Sequence, residues 1–536
     1  MHLIKGENKL FYLLTILGFI ALLFSNPFLR YPYDMIHHLI IIDDIYEQLI
    51  NPVQKLTGIS LNNIYFMVPT EETEPLKLAR PRYLWHYIWA EFFIWLDINS
   101  THLILRAKII HVLQIIISLA SIYYFSHVIL RNIFKYIEII QLRWLSVWSV
   151  LIWVTIFATF STAYHQVWIM WYSINYQITL PLFWYMLGLT LVLLLEQKSW
   201  KIKLFFIFQI IVLSRFILQV HSMEFMYYLM YITIFCFIFI DKVYLLLKKY
   251  FYIIIPIIIT IIFMAKRYQP EKSLIFKYIS LEKIPELYNK IMESGAILLS
   301  GYNRAFSSIN ELIYLILFLG IIFIFYIFWY KYKQKNINIQ MRVLFFILLT
   351  SMFIIIPLYQ FSAGLFGVMT HPMIVNRLYY SSSLFILIPI FFYTMFHKLK
   401  PKYLHLFIAS CLILITFFSK YNDILHHNYY KNILSIKNSF AKQKVGFNLT
   451  QSQIDTIKQK LDSYEKQNKS NKKIYYYARS DIAFVIKYLF HKNVYWKDRR
   501  TYLDYIKIYE QNKNNIKYKN ILFNVPKEFP LYDPYT

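Results

Sequence analysis

The side chains best suited to chemistry lie just beyond the first apolar run, where Asp34, His37, His38, Asp43 and Asp44 follow one another closely. On a helix, spacings of three and four residues bring Asp34 onto one face with His37 and His38. Asp34 sits only a few residues past the apolar run, at the level of lipid headgroups. There it suits a general base acting where a lipid-borne substrate presents its phosphate. The same pattern also suits a solvated carboxylate that caps a surface helix. His37, His38 and Asp43 could together ligate a divalent cation, but none of their spacings is diagnostic of a metal. The sequence names no certain cofactor.

Holding such groups in place falls to a chain that is 58% hydrophobic, with a mean hydropathy of +0.43. Apolar runs recur from Leu10 to Phe418, each long enough for a helix to cross ~30 Å of hydrocarbon. Hydropathy places about eleven spans, near residues 10–28, 107–130, 144–162, 177–196, 204–220, 225–240, 251–265, 311–330, 343–360, 377–396 and 404–419. The first run follows Lys5 and Lys9 as a signal peptide would. No small-x-small cleavage pattern follows, so it reads as an uncleaved first span. Cys236 and Cys411 both lie inside apolar runs, as packing residues do.

The formal net charge of +27 is not a nucleic-acid signature, because the excess Lys and Arg sits in short links between apolar runs and in the tail. Arg131, Lys135 and Arg143 follow the second span, and Lys198, Lys201 and Lys203 the fourth. Lys242, Lys248 and Lys249 follow the sixth, Lys331, Lys333, Lys335 and Arg342 the eighth, and Lys398, Lys400 and Lys402 the tenth. The intervening links at 163–176, 221–224 and 361–376 contain no Lys or Arg. By the positive-inside rule the basic links and the N-terminus are cytoplasmic. The expectation is an all-α polytopic protein of the plasma (inner) membrane, transmembrane over 1–419. Residues 29–106 form an extracytoplasmic loop, and a small α/β extracytoplasmic domain occupies 420–536.

Within the 29–106 loop, residues 36–50 and 83–97 read as amphipathic helices at the membrane surface, the second carrying Trp85, Trp89 and Trp95. Between them runs Ala79-Arg80-Pro81-Arg82-Tyr83-Leu84-Trp85, and Leu105-Arg106 opens the second span. This order resembles the GT-C superfamily of polyprenyl-phosphate-dependent glycosyltransferases, particularly its protein O-mannosyltransferase and aminoarabinose transferase branch. That branch has a first span, an acidic residue just outside it, a Lys-Pro-Pro-Leu-like run, an amphipathic helix and an Arg opening the second span. The resemblance implies that Asp34 is the catalytic carboxylate. It implies that Arg80, with Arg82, stands where a lysine contacts the lipid phosphate, and that Arg106 is a further phosphate ligand. The chain departs from the pattern at Met35, where the family has Glu, and at Arg82, where it has Pro.

Further polar residues fall on the same predicted side. His165 and Asn175, among Trp168, Trp171 and Tyr172, could line a sugar pocket, although Trp and Tyr also form interfacial belts. His221 and Glu224 occupy a short turn close to the hydrocarbon, and Arg215 in the fifth span could pair with Glu224 or snorkel outward. His371 and Arg377 precede the tenth span, with Arg377 either a second phosphate ligand or a headgroup anchor.

In the tail, Thr450 with Gln453 forms a capping box before an amphipathic helix. Runs at 473–477, 493–496 and 521–523 read as strands. The resemblance as a whole implies transfer of a sugar, with inversion, from a polyprenyl-phosphate-linked donor to a glycan, lipid or protein acceptor outside the cytoplasm. The rival expectations are a lipid-linked glycan transporter and a non-catalytic assembly partner.

Overall fold

The computed structural model describes residues 84–98, 103–153, 175–220, 222–245, 338–353, 360–369, 381–396, 451–467, 473–478 and 518–522, with isolated residues in 38–50, 248, 285–293, 326–330, 482–495 and 509–514. Its helices are α1 (Leu84–Trp95), α2 (Leu103–Ile133), α3 (Ile139–Ile152), α4 (Asn175–Leu195), α5 (Trp200–Val220), α6 (Ser222–Ile238), α7 (Ile339–Ser351), α8 (Gln360–Met369), α9 (Leu384–Phe396) and α10 (Gln451–Gln467). The strands are β1 (Lys473–Tyr477), β2 (Val494–Tyr495) and β3 (Tyr518–Leu522).

The expected count of about eleven transmembrane helices is corrected. Among the described residues the fold is mostly helical, and 3 helices are long and apolar enough to cross a membrane: Leu105–Ile133, Ile178–Leu195 and Trp200–Val220. Helices α3, α7 and α9 have 14, 13 and 13 residues. At 1.5 Å per residue that is about 20 Å, against ~30 Å of hydrocarbon. Hydropathy averages side-chain character and does not register where the helical backbone stops. Met352 caps α7 through hydrogen bonds to Leu349 and Thr350. Helix α9 begins only after the hydroxyl run Ser381–Ser383. The spans expected at 10–28, 251–265, 404–419 and most of 311–330 lie outside the described residues. The chain is thus a helical protein with several membrane-length apolar helices, as a multi-pass membrane protein requires.

The chain divides into two compact units, one comprising 1–116, 171–177 and 432–536, the other 117–170 and 178–431. In the second unit α6 packs on α5 and α7, and α9 packs on α3 and α7. Gly188 lets α4 approach α2: a Cβ there would lie 3.0 Å from Tyr124 Cε1 and 3.4 Å from Phe125 Cα. Where α7 ends and α9 begins, buried hydroxyls satisfy one another. Thr350 and Ser351 reach Ser383 at 2.6 and 3.1 Å, Ser382 donates to the Ser351 carbonyl at 2.9 Å, and Tyr231 donates to the Ser381 carbonyl. Such hydroxyl pairs hold helices together where lipid offers no partner.

These contacts set the start of α9 against the end of α7, so the two helices run antiparallel. Arg342, in the first turn of α7, therefore shares an end of the unit with Tyr393, late in α9. At that end Asp241 past α6 pairs with Arg342, and Tyr393 donates to Gln141 in α3 at 3.2 Å. Phe134, just after α2, stacks edge-on against Tyr393 at 5.0 Å. Arg131 late in α2 pairs with Glu196 past α4, and Lys198 approaches the same carboxylate at 3.2 Å. Arg131, Lys198, Asp241 and Arg342, one from each of four predicted basic links, therefore gather at one end.

In the first unit, α10 buries Ile454, Ile457 and Leu461, whose spacing defines one helical face. The three strands form a parallel sheet ordered β2-β1-β3, with Tyr476 beside both Val494 and Ile521.

Candidate functional site

The described part of the candidate site is built where the segment around residues 38–50, α1 and the start of α2 come together. Helical residues Leu39, Ile42, Asp43, Ile45 and Tyr46 are all buried. This face therefore packs on protein and not on a lipid surface. Helix α1 likewise buries Trp85, Trp89 and Phe93, while Trp95 is 78% exposed. Of the tryptophans expected at the membrane surface, only Trp95 is exposed.

Helix α1 ends by a left-handed residue, Asp97, with φ 53°. The Ile98 amide donates to the Phe93 carbonyl at 3.0 Å and the Asp97 amide to Ile94 at 3.1 Å. This is a Schellman closure, in which Asp tolerates the conformation better than most non-glycine residues. The turn directs the Ile98 carbonyl at Arg106, which donates to it from Nε at 3.1 Å and from Nη2 at 2.5 Å. Arg106 Nη1 donates to Asp43 Oδ1 at 2.9 Å, with the two side chains 1% and 6% exposed. The guanidinium also lies 3.9 Å from the Tyr46 ring centroid and 5.2 Å from that of Phe93. One planar fork thus ties three chain segments together, a geometry that a lysine's point charge would not reproduce.

A second layer lies beside the first. Trp85 Nε1 donates to Gln114 Oε1 at 2.8 Å, joining α1 to α2. His38 Nδ1 and His86 Nε2 share a hydrogen bond of 2.8 Å, their rings stacked with centroids 5.0 Å apart. One ring must donate and the other accept, so at least one is neutral. His86, Gln114 and His111 were not singled out from sequence. The available signal was the polar residues of α2, where Arg106 is followed by His111 and Gln114, three residues apart on one face, all of them buried.

The structure unites three of the predicted candidates, Asp43, His38 and Arg106, in this region. It gives Arg106 a different occupation from phosphate binding, since the fork is buried and engaged by Asp43 and Ile98. Glu224 is buried in the first turn of α6, and Asn175 opens α4. Arg215 engages Gln219: with the amide oriented by its hydrogen bonds, Gln219 oxygen accepts from Nε at 2.9 Å and Nη2 at 2.8 Å. Asp34, His37, Asp44, Arg80, Arg82, His165, His221, His371 and Arg377 lie outside the described residues. Among the described residues no group of three or more His, Cys, Asp or Glu gathers as a metal site. Comparisons with protein-family models, curated proteins and solved structures give no match.

Proposed function

We infer that the chain is a membrane glycosyltransferase that moves a sugar from a polyprenyl-phosphate-linked donor to a glycan, lipid or protein acceptor. The observation that carries this reading is the buried Asp43–Arg106 pair. It supports a first loop that is a folded platform on the start of α2, and Asp34 stands four residues before His38 in the sequence. A loop that served only as a tether would have no use for a buried ion pair, which is costly to bury. In this mechanism Asp34 accepts the proton of the acceptor hydroxyl as that oxygen attacks the anomeric carbon. The bond to the lipid phosphate breaks on the opposite side, inverting the centre. Arg80, Arg82 and Arg377 supply positive charge to the departing phosphate, and Arg106 positions the platform.

The gathering of basic links at one end supports an orientation with that end in the cytoplasm and the first loop outside, in the plasma membrane. The transporter reading predicts a buried polar path around Arg215; that residue is exposed on α5 and bonded to Gln219, which gives the rival no support. The test is sugar transfer in membranes supplied with a polyprenyl-phosphate sugar. Asp34→Asn should abolish transfer while leaving protein abundance unchanged. Wild-type activity in that variant would refute the assignment, and export of undecorated precursor lost on gene deletion would favour transport.

A further inference from the structure

Helix α5 differs from the other membrane-length helices in how little of it is covered: 6% of its apolar window is buried, against 72% for Ile178–Leu195. Its exposed stripe is Leu204, Phe208, Ile211, Val212 and Leu218, a surface for lipid chains. Arg215 lies on this stripe, one turn past Ile211 and Val212, and is itself exposed. An arginine among lipid chains is costly unless its charge reaches the headgroups. Arg215 stands five residues before Val220, about 7.5 Å from the end of the helix at 1.5 Å per residue.

The guanidinium is held in one orientation. Gln219 lies one turn further along the helix, where side chains lean back toward the N-terminus, and Arg215 donates to its amide oxygen from Nε at 2.9 Å and Nη2 at 2.8 Å. The two bonds fix the plane of the fork. Among the described residues Gln219 is the only group that Arg215 hydrogen-bonds, and Glu224, the nearest carboxylate in sequence, is buried within the bundle. Nη1 and the second hydrogen of Nη2 therefore remain to be met at headgroup depth.

We propose that Arg215, oriented by Gln219, forms a binding site for the phosphodiester of an anionic phospholipid on the lipid-facing side of α5. The charges are complementary, the fork suits two phosphate oxygens, and the apolar stripe below accepts the acyl chains. The site does not depend on the glycosyltransferase reading.

Native mass spectrometry of the full-length protein in detergent, titrated separately with phosphatidylglycerol, phosphatidylcholine and undecaprenyl phosphate, tests it. Wild type should retain phosphatidylglycerol in preference to phosphatidylcholine. Arg215→Gln should weaken retention about tenfold, the loss of one charge-assisted hydrogen-bonded pair. Arg215→Lys should fall between, because charge remains and the fork does not, and Gln219→Leu should weaken binding with the charge intact. Lipid-free melting temperatures should be the same for wild type and both Arg215 variants, since Arg215 is exposed. Equal retention of phosphatidylglycerol by wild type and Arg215→Gln would overturn the proposal, as would retention of undecaprenyl phosphate alone.

Discussion

Arg106 shows how one side chain can organise a region without touching substrate. It joins Asp43, the Ile98 carbonyl and the Tyr46 ring, so removing either member of the ion pair strands a buried charge. Arg106→Met or Asp43→Leu alone should each cost ~3–5 kcal/mol, whereas the double apolar replacement should be far less damaging. Denaturant or thermal unfolding of the four proteins in one detergent checks this; a double variant whose loss equals the sum of the two single losses would show that the pair is not coupled. Arg106→Lys should also be destabilising, since a lysine cannot serve Asp43 and Ile98 at once. Nothing in the sequence around Arg106 names its partners. Asp43 lies 63 positions away and Ile98 is exposed to the fork only through the Schellman turn.

Among the elements, the approach of α2 and α4 rests on an absent side chain. Gly188 faces the Tyr124 ring at 3.0–3.1 Å and the Phe125 backbone at 3.4 Å from the position of a Cβ. Gly188→Ala requires the tyrosine ring to move by a few tenths of an ångström. Gly188→Leu must push the helices apart and should destabilise by about 1–3 kcal/mol, the range for overpacking. A thermal melt separates the two, with the Leu variant well below the Ala variant. Equal stability of Gly188→Leu and wild type would show that the helices do not need this close approach. Helix α9 teaches the complementary lesson. Its apolar composition was plain, but the start at Leu384 is set by Ser382 and Ser383, whose hydroxyls find Thr350 and Ser351 on α7.

For the whole molecule, the basic links meet acidic partners at one end of the second unit, and the Asp241–Arg342 pair gives that end a pH dependence. Partial burial alone raises the Asp241 carboxyl, but the hydrogen bond and charge of Arg342 outweigh it and hold it below the ordinary carboxylate range. A carboxyl lowered in the folded state stabilises above its unfolded pKa, and that contribution disappears as pH falls through the folded value. Wild type should therefore melt above Asp241→Asn at pH 7, and the gap should close at pH values below about 4. The gap should be small, because the carboxylate is 44% exposed. A gap that persisted unchanged to pH 3 would contradict the assignment.

The sequence alone determined that this chain carries repeated apolar runs whose short links alternate between rich in Lys and Arg and free of them, because hydrocarbon excludes charge and composition records that directly. It also made the first loop's carboxylates, histidines and arginines visible as candidates. Tertiary structure decided where the helices stop, which α1 face is buried, and that Arg106 serves the fold through Asp43 and Ile98. Helix ends and ion pairs depend on groups brought together from distant positions, and a hydropathy window sees only neighbours along the chain.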